Sequence, residues 1–272
     1  MQRLMTNPYQ PPGTELGPRP GAIGIAGRLR ELRSSPGAAW AGPLLIFIVF
    51  LLLSSALKTD AARAPWYRAH PEQWVYPVQT LVTLAAVAFW WKRYTFTPLA
   101  PRHVAWAVIA GTAGIVLWIL PSWLYDRNFV PKNEWLGFTS RSGDGFDPTM
   151  WADNPAAYWT AVTMRFIRMT IAVAFAEELF WRGFLWRAVA DPYRDFHQVP
   201  FGTGNWKALA ITVALFTASH MAADRFAAVI WCLIISWLYV RTKSVGACVV
   251  AHAISNLILG IYVMVTRQWG FW

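Results

Sequence analysis

Ala38–Leu57 runs for 20 residues without a charge, the length a helix needs to cross the hydrocarbon core of a bilayer. Six more apolar runs follow: Gln73–Trp91, His103–Tyr125, Tyr158–Ala190, Ala208–Ala223, Phe226–Val240 and Ser244–Thr266. Lys92 and Arg93 close the second, and Pro121 falls near the end of the third. The fifth and sixth are short, as suits helices buried by neighbours. The seventh carries Gly246, Ala247, Ala251, Ala253, Ser255 and Gly260, the small residues that let membrane helices approach closely. Charged residues make up 14% of the chain, against about 25% in soluble domains. These features predict an all-α polytopic membrane protein with about seven transmembrane helices, an integral membrane domain over residues 38–272.

The formal net charge of +10 is distributed over the short connections rather than gathered in one patch with interleaved aromatics, which argues against a nucleic-acid partner. It reads as topology and attraction to anionic headgroups. With the N-terminus on the cytoplasmic side, the cytoplasmic segments receive more Arg and Lys than the opposite ones. The predicted arrangement is N-terminus in, seven spans, C-terminus out. Residues 1–37 are rich in Pro and Gly without apolar periodicity and predict a flexible tail, ending in a short basic helix near Arg28–Arg33. No apolar core segment of a cleavable signal peptide occurs in that stretch.

Several residues carry plainer readings. Cys232 and Cys248 lie inside apolar runs and form neither a disulfide framework nor a metal pair; small buried thiols are expected. Trp40, Trp74, Trp90, Trp91, Trp123, Trp206 and Trp269 fall at run ends, matching an interfacial belt. The connection Asp126–Ala157 carries turn chemistry; Asp144 and Asp147 lack the remaining ligands of a cation loop. His70, His103 and His197 are expected to be solvated. Arg165 and Arg168 are expected to snorkel toward headgroups, binding of a substrate carboxylate being the minor reading.

Three constellations can do chemistry. Glu177 and Glu178 adjoin each other inside the stretch Met169–Trp186, whose one other charge is Arg182. A charge at a helix centre costs roughly 2.5–3.5 kcal/mol on insertion scales, so two side by side mark a functional site. Arg182 shares a helical face with Glu178 and can offset its burial. Glu177 then has no local cation, which suits a general base. Phe216 and His220 stand four apart, as do His252 and Asn256. Singly, these could be an interfacial histidine and interhelical hydrogen-bonding glue; together, on neighbouring core segments, they point to a catalytic cluster.

The pattern E-E-x-x-x-R, F-x-x-x-H and H-x-x-x-N, carried by Glu177, Glu178, Arg182, Phe216, His220, His252 and Asn256, resembles the CAAX protease and bacteriocin-processing family of intramembrane glutamic endopeptidases. The runs W-V-Y-P-V-Q-T, A-C-V-V-A-H-A-I-S-N-L-I-L-G-I-Y-V and Q-W-G-F-W look similar to its bacterial CAAX prenyl protease-related members, some of which accompany exosortase sorting systems. The resemblance implies a four-helix catalytic core within 158–266 and a bacterial inner-membrane location. The substrate it implies is a membrane-anchored or lipid-modified peptide. It also implies catalysis by Glu177, Glu178, Arg182, His220, His252 and Asn256 without a cofactor. Glu177 activates water with help from His220, neutral His252 and Asn256 donate to the oxyanion, and Glu178 with Arg182 positions the site. A metal-dependent protease and a non-catalytic scaffold or immunity protein are the alternatives; Arg182 would set positive charge beside a cation.

Depth constrains this reading. The fourth run spans roughly 50 Å as a helix, and Glu177 meets His220 only if its membrane part starts near Arg165 or Arg168. Tyr158–Met164 must then project from the bilayer or form a separate turn. A polar cavity among the fourth, fifth and seventh helices is required so that water reaches Glu177.

Overall fold

The computed structural model describes residues 24–59, 63–143 and 145–272. The tail before Gly24 and Asp144 of the suggested cation loop lie outside the described residues. The predicted basic helix is present as α1 (Ile25–Ser34). All seven apolar runs are helical: α2 (Pro36–Leu57), α3 (Glu72–Phe89), α4 (Pro101–Asp126), α5 (Pro155–Ala190), α6 (Trp206–Ala218), α7 (Arg225–Thr242) and α8 (Val245–Thr266). With α2, α4, α5, α7 and α8 long and apolar enough to cross a membrane, the protein is an all-α polytopic membrane protein.

The starts follow local chemistry. Ser35, Asn154, Asn205 and Ser244 cap α2, α5, α6 and α8 by accepting from first-turn amides, and Pro stands in the first turn of α2, α4 and α5, where no intrahelical donor is needed. His103, expected to be solvated, is buried. Its Nδ1 lies 3.2 Å from Pro98 O and 3.4 Å from Ala100 N, so it closes the first turn of α4.

α5 is one continuous rod that changes pitch twice. Arg168–Val173 and Leu179–Leu185 are π-helical, flanking the α-helical turn Ala174–Glu178. Wider π turns misalign backbone groups, and side chains of neighbouring helices fill in: Asn256 Nδ2 donates to Met169 O at 2.6 Å and Tyr239 OH to Arg182 O at 2.8 Å. The helix runs unbroken through Tyr158–Met164, so that stretch is not a separate turn.

Small residues set the closest approaches, since lipid gives apolar side chains no reason to leave it. α8 lies against α4 so tightly that a Cβ on Gly111 would sit 2.3 Å from Ala251 O. Ser255 Oγ donates to Gly111 O at 2.8 Å and accepts from Trp231 Nε1 at 3.1 Å. Trp40 and Trp90, expected in the interfacial belt, are buried: Trp40 fills the notch at Gly183 and Trp90 lies over Gly42. Trp74, Trp91, Trp123 and Trp206 are exposed as the belt reading requires. Both cysteines are buried free thiols.

Gly111→Ala should lower stability by about 1–3 kcal/mol, because the new methyl meets backbone rather than a movable side chain. Gly37→Ala, with nothing within 4 Å of the added Cβ, is the control. Thermal unfolding in detergent should show a lower midpoint for the first variant only.

Candidate active site

Glu177, His220, His252 and Asn256 line one cavity of about 260 Å³ between α5, the end of α6, α7 and α8. Glu177 and Glu178 are neighbours in the short α-helical turn of α5, so their side chains diverge by about 100°. Glu177 reaches the cavity; Glu178 is fully buried behind it. Of the two carboxylates, Glu177 alone lines the cavity.

Glu178 Oε1 accepts from Arg182 Nη1 at 3.0 Å and from His252 Nδ1 at 2.9 Å, while Oε2 has no hydrogen-bond partner among the described residues. Arg182, also fully buried, lies over the rings of Phe216 and Trp231 and places Nη2 3.6 Å from Cys232 Sγ. A carboxylate oxygen can only accept, so His252 donates from Nδ1 and turns Nε2 away from Glu178. The Trp231 ring, edge-on to His252 at 4.7 Å, fixes the imidazole plane.

His220 lies just past the end of α6, not within it. The helix stops at Ala218 because side chains take over the carbonyl that a further turn would use. Ser219 Oγ and His220 Nδ1 both lie 2.7 Å from Phe216 O, a local competition with the helical ladder. The Phe216 ring is 4.5 Å from the imidazole and that of Trp118 5.3 Å. With Nδ1–H given to Phe216 O, the lone pair of Nε2 is free.

Arg165 and Arg168 do not snorkel. Both are buried and line the same cavity, because α3 and the last aromatic residues close over them. Arg165 stands over Tyr76, Phe146 and Trp272 at 5.5, 5.3 and 5.5 Å. Arg168 lies over Tyr76 at 4.0 Å and Phe47 at 4.7 Å, and its Nε donates to Gln79 Oε1 at 2.7 Å. Asp224 also lines the cavity, paired with Arg141 and accepting from Trp118 Nε1 at 3.2 Å. A second cavity of about 670 Å³, at the C-terminal end of α2 and the N-terminal end of α3, shares Trp272 with the first. Among the described residues, no three of His, Cys, Asp and Glu are grouped closely enough to hold a metal ion.

Residues 159–258 match the family model described as Type II CAAX prenyl endopeptidase Rce1-like. Over that stretch the chain is similar to the CAAX protease family. The matched stretch runs from α5 into α8 and contains all six acidic, basic, imidazole and carboxamide residues singled out in the sequence. No curated protein and no solved structure matches the chain. For a CAAX-type protease the setting is an integral membrane one, with a peptide as the class of substrate.

Of the cavity's walls, sequence reasoning missed Trp118, Trp231, Ser255 and Asp224. It also missed Gln79, which touches the cavity through Arg168. A carboxamide in the middle of the second apolar run was the available signal for Gln79. The others are ordinary in sequence and become notable through their partners.

Replacing Arg182 by Leu should cost ~3–5 kcal/mol, because it leaves Glu178 charged and buried with only an imidazole beside it. Arg182→Leu with Glu178→Leu should recover part of the loss. Unfolding of the purified variants in detergent would show the order.

Proposed function

We propose that this CAAX-type protein is an intramembrane endopeptidase that hydrolyses a peptide bond in a membrane-anchored or lipid-modified substrate with water activated by Glu177. The observation that carries the reading is the convergence of Glu177, His220, His252 and Asn256, from three separate stretches of chain, on one cavity. The buried Arg182–Glu178–His252 chain lies behind them.

Water in the cavity donates one hydrogen to Glu177 and the other to Nε2 of His220. As its oxygen attacks the carbonyl carbon, Glu177 takes the proton. Charge then develops on the carbonyl oxygen, where preorganised donors are worth about 3–4 kcal/mol each in a dry site. Asn256 has one N–H on Met169 O and a second free for the oxyanion. His252 donates from Nε2 only as the imidazolium, since its Nδ1–H is already given to Glu178. While the imidazole stays neutral, Asn256 is the donor to the oxyanion. When the tetrahedral intermediate collapses, the carbon–nitrogen bond breaks and the proton on Glu177 passes to the leaving amine.

Alternation of the helices puts His220, the end of α8 and the larger cavity on the side opposite the start of α2. With the tail cytoplasmic, as the loop charges argue, the site opens to the extracytoplasmic side of a bacterial inner membrane. Partnership with an exosortase-type sorting system rests on the likeness of the flanking runs and enters no step of the reaction.

Glu177→Gln and His220→Ala should fold normally and lose at least about 10²-fold in cleavage, the scale of general base catalysis. Membrane peptidomes of cells carrying wild type and Glu177→Gln should differ by the missing products. Full complementation of a deletion by Glu177→Gln would instead make the bundle a scaffold or immunity protein. Once a substrate is in hand, cleavage should survive a strong chelator. Loss with chelator and restoration by Zn²⁺ would transfer the imidazoles to a metal-ligand role.

A further inference from the structure

The cavity holds more positive charge than hydrolysis uses. Asp224 is matched by Arg141 behind it, and Glu178 by Arg182. Glu177 is then left facing two guanidiniums, Arg165 and Arg168, an excess of one positive charge in a setting where an unpaired charge is costly. Nε and Nη1 of Arg165 are buried without a hydrogen-bond partner among the described residues, and the residue is only 7% exposed. Three aromatic rings surround the guanidinium, and no carboxylate among the described residues pairs with it.

Arg168 is oriented for use. Gln79, fully buried, donates from Nε2 to Phe47 O at 2.6 Å and accepts Arg168 Nε on Oε1 at 2.7 Å. That fixes the carboxamide's orientation and the guanidinium plane together. It also leaves Nη1 and Nη2, the end of the fork that matches the two oxygens of a carboxylate, without a hydrogen bond among the described residues on the cavity side.

Resting on the peptidase reading above, we propose that Arg168, positioned by Gln79 and reinforced by Arg165, binds a carboxylate of the peptide substrate. One monoanion neutralises the excess charge. A planar acceptor fits the end of the fork, and its burial strengthens the pair. Arg168 and Glu177 are nine positions apart on α5, about 13 Å along the axis. An extended peptide covers that in about four residues, which sets the length of the probe. The carboxylate is either the C-terminal one or an acidic side chain, and the test separates them.

The full chain, reconstituted in phosphatidylcholine nanodiscs, is titrated with three pools of tetrapeptides randomised over apolar residues: free acids, C-terminal amides, and amides containing one Glu. Thermal stability is read from tryptophan fluorescence. The proposal expects the free acids or the Glu-containing amides to stabilise the wild type at concentrations at least about tenfold below the plain amides; which of the two does so identifies the source of the carboxylate. Arg168→Gln should lose the preference. Gln79→Glu should lose it too while unfolding no earlier than wild type, because the new carboxylate pairs internally with Arg168; this separates a filled subsite from a damaged fold. Glu177→Gln should keep the preference, so the subsite is tested independently of hydrolysis. Equal response to all pools, or a preference that survives both Arg168→Gln and Gln79→Glu, overturns the proposal. Loss of the preference when phosphatidylglycerol replaces phosphatidylcholine also overturns it, in favour of a lipid phosphate.

Discussion

One carboxylate oxygen, Glu178 Oε1, holds the site together. It accepts from Arg182 on its own helix and from His252 on α8, so it fixes the rotation of α8 against α5. Both partners are needed. An isolated buried carboxylate costs several kcal/mol, and the intrahelical pair with Arg182 offsets that cost. The link to His252 then converts a stabilised charge into orientation, since the imidazole is pinned through Nδ1 and presents Nε2 to the cavity. Glu178 and Arg182 thus act on chemistry without touching the space where it would occur.

The second constraint is the changing pitch of α5. A regular helix would satisfy its own carbonyls and give α7 and α8 nothing to bind. The two π stretches leave Met169 O and Arg182 O to Asn256 and Tyr239. Each change of pitch also re-aims the residues beyond it, so one rod carries Arg165, Arg168 and Glu177 to the cavity and Glu178 and Arg182 behind it. Asn256 consequently has two attachments in view: it secures the first π stretch and retains an N–H for the cavity.

The cavity is polarised along that rod. The carboxylate of Glu177 and the imidazole of His252 lie deeper, and two guanidiniums lie toward the larger cavity at the ends of α2 and α3. Aromatic rings rather than acids surround Arg165, which keeps its charge desolvated but not neutralised. The same rings, Tyr76, Phe146 and Trp272, line the larger cavity. The guanidinium therefore stands at the boundary between the larger cavity and the one that Glu177 lines.

The seven helices and the three polar constellations were legible in sequence because each depends on near neighbours along the chain: uncharged length, and groups four residues apart. The Glu178–Arg182 pair was legible for the same reason. The failures share the opposite cause. Arg165 and Arg168 look like snorkelling residues until Tyr76, Phe146 and Trp272 close over them. Trp40 and Trp90 look interfacial until Gly183 and Gly42 admit them, and His103 looks solvated until Pro98 curls beneath it. The sequence by itself determined which residues could be catalytic and that a bilayer would surround them. Only the tertiary structure decided which carboxylate faces the cavity, which nitrogen of each histidine is free and where the excess positive charge lies, because burial and hydrogen-bond partners are set by residues distant along the chain.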